Sequence, residues 1–143
     1  MRRIFKRSFH IGLILFGLIQ LVPYGRDHSA PIVIHEPQWD SPRTRELAKR
    51  ACFDCHSNQT DWPWYGWIAP VSWLLQRDVE EGRAHLNFSE FDKRQRHAED
   101  SAEELRSGEM PPWFYLPLHA KARLSEAETE ELARGFERTF SDD

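Results

Sequence analysis

A net positive charge is what this chain most plainly lacks. Its 19 Lys and Arg against 23 Asp and Glu leave a formal charge of −4, so no sequence-wide positive field exists to hold nucleic acid, and that class of partner is set aside. Strand-like alternation is absent throughout, as are internal repeats, which leaves an all-α class. Cysteine is scarce, with two residues, and so is methionine, with Met110 alone beyond the initiator. Aliphatic content is modest and the mean hydropathy is −0.67. A chain of 143 residues has room for one compact domain plus an N-terminal extension. Domains of that size often recruit a metal, disulfide or cofactor for stability.

Aromatic residues, by contrast, are abundant: they make up 13% of the chain and include six Trp. A large flat cofactor suits such a composition. The one apolar run of any length is Phe9 to Val22, ending at Pro23 and preceded by Arg2, Arg3, Lys6 and Arg7. Residues 1–23 therefore read as a signal anchor or signal peptide. The run is shorter than the roughly 20 residues that span a bilayer comfortably. The best cleavage candidate, His28-Ser29-Ala30, has His where a small residue belongs, which favours an uncleaved anchor. The one-sided basic cluster places the N-terminus in the cytoplasm. The expectation is a single-pass inner-membrane protein with its body in the periplasm or at the cell exterior.

Residues 24–40 hold Pro31 and Pro37 and read as a linker, with Ile32-Val33-Ile34 as a short extended piece. The domain is expected at 41–140. Ser41-Pro42 reads as an N-cap with proline in the first helical position, opening a helix that reaches Ala51-Cys52. A second helix is expected from Pro70 to about Ala84. A third is expected from an N-cap at Ser89 to Ser107, where Gly108 supplies the stop, and a last from Ser125, whose capping box is completed by Glu128. Long loops at 57–69 and 109–124 lie between them.

The chemistry-bearing motif is Cys52-Phe53-Asp54-Cys55-His56, the C-x-x-C-H pattern of haem attachment. Two thiols three positions apart can each add to one vinyl group on a haem edge, and the histidine directly after them can reach the iron. Three other readings of the cysteine pair compete. A disulfide would close a tiny loop and gain little, and a thioredoxin-like redox pair needs a βαβ setting. A zinc site needs four ligands, and with no second cysteine pair histidines would have to complete it. Met110, followed by Pro111-Pro112 and preceded by a helix stop, is the candidate sixth ligand, because thioether sulfur favours ferrous iron and the prolines stiffen the loop. Core packing is the alternative for a lone methionine. His85 and His119 are the rival ligands, while His97 is expected on a solvated face and His28 and His35 have no assigned role. Trp62, Trp64, Tyr65 and Trp67 are expected to wall the haem pocket, with an exposed docking patch as the other reading. Arg77 and Arg83 are candidates for the propionates, although an ordinary surface role suits either.

These motifs, in order Ala51 to Thr60, Trp62-Pro-Trp-Tyr65, Ile68-Ala-Pro-Val-Ser-Trp73, Gly82-Arg83, Leu86-Asn-Phe-Ser89 and Met110-Pro-Pro-Trp-Phe-Tyr115, resemble a bacterial family of haem-binding domain proteins over about residues 40 to 140. The resemblance implies a small helical domain like that of a c-type cytochrome, with one haem c on Cys52 and Cys55, His56 as axial ligand and Met110 as distal ligand. The function expected is single-haem electron transfer with redox partner proteins. The alternative is a haem-based sensor or peroxidase-like enzyme in which the methionine is displaced, although no general acid–base pair is evident near the motif. A non-redox interaction module is the third class.

Overall fold

A computed structural model describes residues 2–141, and every described element is a helix or turn apart from one isolated bridge between His35 and Glu90. Helices are α1 Arg2–Ile19, α2 Pro42–Ala51, α3 Phe53–His56, α4 Val71–His85, α5 Ser101–Ser107 and α6 Glu126–Phe140. The two long loops carry 3₁₀ turns at Trp64–Trp67 and Ala120–Ala122. The chain divides into two compact units, Met1–Ser29 with Trp62–Asp78, and Ala30–Asp61 with Val79–Asp143.

In the first unit α1 has 18 residues and buries none of them. Its end is fixed by a reciprocal amide pair: Gln20 Nε2 donates to the Ala69 carbonyl at 2.9 Å, and Ala69 N–H donates to Gln20 Oε1 at 2.9 Å. Gly25 has φ 76°, and a Cβ there would lie 2.4 Å from the Ser72 carbonyl oxygen, so only glycine admits this approach. No helix among the described residues is long and apolar enough to cross a membrane. The expected single-pass inner-membrane anchor is corrected accordingly. The physical reason lies in α1 itself. Arg2, Arg3, Lys6 and Arg7 occupy its first two turns and the helix ends at Ile19. Its apolar part, from Phe9 onward, is about 16 Å long, against about 30 Å of hydrocarbon.

The second unit holds the core. Leu47 and Ala48 of α2, Phe53 of α3, Ala102 and Leu105 of α5, and Leu132, Ala133, Phe136 and Phe140 of α6 close around Leu86, Phe88 and Ala98, with Trp39 packed against them. Each fully buried Leu or Phe contributes roughly 1.5–3 kcal/mol relative to exposure. Two helix starts agree closely with the sequence pattern. Ser41 Oγ accepts from Thr44 N–H at 3.2 Å, with Pro42 next in line, and the Ser125–Glu128 capping box is formed in both directions. Helices α2 and α6 cross closely enough that a Cβ on Gly135 would lie 2.3 Å from Thr44 Oγ1.

The helix expected from Ser89 is reduced to α5, and Ser89 is not its N-cap. The Ser89 carbonyl accepts from both Ile34 and His35 N–H at 2.9 and 3.2 Å, and its hydroxyl accepts from Asn58 N–H at 2.9 Å. Its own N–H donates to Asn87 Oδ1 at 2.9 Å. With its backbone and side chain committed to these partners, Ser89 clasps residues 34–35 and 58 instead of opening a helix.

Candidate functional site

The motif straddles the junction of two helices. Cys52, with φ −123°, caps α2 through its N–H to the Ala48 carbonyl and starts α3. Its own carbonyl accepts from Cys55 N–H at 3.2 Å and His56 N–H at 2.9 Å. That single turn sets the thiols at i and i+3 with the imidazole at i+4, the spacing of neighbours on one helical face. Between them Phe53, 2% exposed, plugs the turn into the core.

His56 is held at both ends. Its carbonyl accepts from Phe88 N–H at 2.8 Å, and its Nδ1 lies 3.0 Å from the Leu86 carbonyl oxygen. A carbonyl can only accept, so the proton sits on Nδ1. Burial holds the imidazole below its ordinary pKa, outweighing the hydrogen bonds to the backbone of Leu86 and Gly82 that pull the other way. The neutral ring therefore keeps its lone pair on Nε2, as an iron-bound histidine requires.

Cys52 and Cys55 are both thiols, with no disulfide between them. Burial, then the neighbouring Cys55, pushes the Cys52 thiol up to about 12, so it is not the ready thiolate that a redox pair uses. No group of three or more His, Cys, Asp or Glu side chains arranged for a metal ion occurs among the described residues. Two thiols on one turn and a neutral, oriented imidazole fit a haem better than they fit zinc. Helix α4 backs this turn through Gly82, where a Cβ would stand 2.7 Å from the Cys55 carbonyl oxygen. One residue on, Arg83 Nε donates to the Ser57 carbonyl at 2.8 Å and its Nη2 to Thr60 Oγ1 at 3.0 Å. Arg83 thus braces the chain leaving the motif, while Arg77 belongs to the first unit.

Met110 lies in the same unit as the motif, on the loop after α5. Gly108, at φ 77°, ends the helix, and Met110 N–H donates to the Glu104 carbonyl at 3.1 Å. The methionine is 38% exposed, not buried in the core. Of the rival histidines, His85 is exposed at the end of α4 with its ring 5.1 Å from that of His97, which pairs with Asp100. His119 Nδ1 donates to the Tyr115 carbonyl at 2.9 Å, and its ring stacks on Tyr115 at 3.8 Å.

Trp62, Trp64, Tyr65 and Trp67 fall in the first unit, the motif in the second. Trp64 is 75% exposed and meets Tyr65 edge to face. Trp62 and Trp67 flank His28, each with its ring centroid 4.1 Å from the imidazole, Trp62 stacked and Trp67 tilted. Both His28 ring nitrogens are buried without a hydrogen-bond partner among the described residues. No sequence pattern marks this arrangement, because the rings that enclose His28 lie more than thirty positions along the chain.

A family model described as a haem-binding domain matches residues 14–138, most of the chain. No curated protein and no solved structure matches it.

Proposed function

We propose that this chain, which belongs to the haem-binding domain family, carries one covalently attached haem c and passes single electrons between redox partner proteins. Haem binding is the family's property; the covalent link and electron transfer are the further reading. One observation carries it: the His56 Nδ1 hydrogen bond to the Leu86 carbonyl, beside two thiols on the same helical turn. When bound, haem supplies an iron that alternates between ferrous and ferric states. The chain's own residues do the rest. Cys52 and Cys55 fix the ring edge by thioether bonds, His56 offers Nε2, and Met110 offers its sulfur from the loop after α5. A sulfur ligand favours the ferrous state and raises the potential, and two protein ligands close the iron to small molecules.

Visible spectra of the purified protein, oxidised and reduced, with and without carbon monoxide, test the reading. Low-spin haem that stays on the chain under denaturing conditions is expected, with a weak far-red sulfur-to-iron band that Met110→Ala abolishes. Haem that washes out of the denatured wild type sinks covalent attachment. An unchanged far-red region in Met110→Ala removes that residue from the iron. The exposure of Met110 favours one second reading, a ligand-binding haem whose methionine is displaced. Rapid carbon monoxide binding by the untouched reduced protein selects it over electron transfer.

A further inference from the structure

Asp54, the residue before the second cysteine, has more partners than a solvent-facing spacer needs. Its Oδ1 accepts from Asp61 N–H at 3.0 Å and its main-chain carbonyl from Thr60 Oγ1 at 2.7 Å. Its Oδ2 accepts from the Tyr115 hydroxyl at 2.5 Å, across 61 positions of sequence. Tyr115 belongs to the loop that carries Met110, and it is anchored there by its stack on His119 and by the hydrogen bond between its carbonyl and that ring. The loop is thus tied at its start, by Met110 N–H on the Glu104 carbonyl, and again five residues later, by Tyr115 on the attachment turn itself.

We propose that Tyr115 is a positioning residue, whose hydroxyl latches the methionine-bearing loop to the haem-attachment turn through Asp54 and so keeps Met110 at the iron. The inference rests on the reading of Met110 as an iron ligand. A phenol–carboxylate hydrogen bond is charge-assisted, stronger than a neutral pair, and it joins the two segments whose separation decides whether the sulfur stays bound. Breaking it leaves both cysteines, His56 and Met110 chemically intact. What changes is the population of the conformer in which the sulfur is off the iron.

The test uses the haem-loaded full chain as wild type, Tyr115→Phe, Asp54→Ala and the double variant, titrated with imidazole as the competing iron ligand. Phenylalanine keeps the stack on His119 and removes only the hydroxyl. The expected result is a rise of about tenfold in apparent imidazole affinity for Tyr115→Phe, the size of one lost charge-assisted hydrogen bond. The far-red band weakens in parallel, and the double variant shows no more than the larger single effect. A merely structural role for Tyr115 lowers thermal stability but leaves imidazole affinity and the far-red band alone; that outcome overturns the latch and leaves the Met110 reading standing. Absence of the far-red band from the wild type removes Met110 from the iron and takes the latch with it. Should Asp54→Ala fail to fold by far-ultraviolet circular dichroism, Tyr115→Phe decides alone.

Discussion

At the scale of single residues, the motif was legible because its chemistry is local. Cys52, Cys55 and His56 lie within five positions, and one helical turn brings them to one face whatever the rest of the chain does. Their supports were not legible. Leu86, whose carbonyl accepts the His56 hydrogen bond, lies 30 positions on, and although Gly82 falls in a motif of the family resemblance, nothing in its neighbours along the chain gives it a role. Its reason is contact: a methyl there would press on the Cys55 carbonyl at 2.7 Å and the Cys55 Cβ at 3.1 Å. Gly82→Ala should therefore destabilise the protein by about 1–3 kcal/mol in urea unfolding, although alanine alone favours a helix by about 1 kcal/mol. It should also lower the fraction of chain carrying haem, measured by haem stain after denaturing electrophoresis. A variant as stable as wild type and fully loaded would mean that α4 shifts away at no cost, and that the glycine does not set the spacing.

At the scale of elements, the starts of α2 and α6, which side chains cap, agree with the sequence pattern, and the start of α5, which no side chain caps, does not. Ser41 and Ser125 act as the sequence suggests, since an N-cap needs only residues within one turn. Ser89 has the same composition signal, but tertiary partners from residues 34, 35 and 58 claim its carbonyl and hydroxyl first. The capping box of α6 also carries a pH signature. Glu128 is held at about 2, against an ordinary 4.5, chiefly by the side-chain hydrogen bond from Arg50 and then by Ser125 N–H. The folded state thus keeps this carboxylate charged after the unfolded chain has begun to take up a proton. Its contribution is whole above about pH 4.5 and is lost as pH falls toward 2. Glu128→Gln should lower the melting temperature at neutral pH and flatten its fall between those limits. Melting curves of both proteins across that range check this, and parallel acid limbs would show that Glu128 adds nothing through charge.

At the scale of the whole molecule, the abundance of aromatic residues suits the lining of a flat cofactor, yet many of those rings build the protein's own core. Phe88 stands at its centre. Its ring packs at centroid distances of 5.3 Å on Trp39, 5.5 Å on Phe53, 5.8 Å on Phe136 and 6.4 Å on Phe140. The same residue faces the His56 ring at 6.4 Å and donates its N–H to the His56 carbonyl. Core and candidate site are therefore one structure in the second unit, since the ring that holds α3 and α6 together also backs the imidazole. Sequence pattern cannot disclose this, because Phe88 lies outside every helix and has no periodicity to mark it as buried. Phe88→Ala should cost about 3–5 kcal/mol in unfolding free energy, whereas Trp64→Ala, which removes a ring 75% exposed, should fall within about 0.5 kcal/mol of wild type. Because His56 depends on the same ring, the residual folded Phe88→Ala protein should also show a disturbed haem spectrum. Phe88→Leu, which keeps most of the apolar volume, should recover much of the stability and the spectrum together. Recovery of stability with the spectrum still disturbed would separate the two roles and show that the aromatic face itself, beyond its volume, orients the histidine.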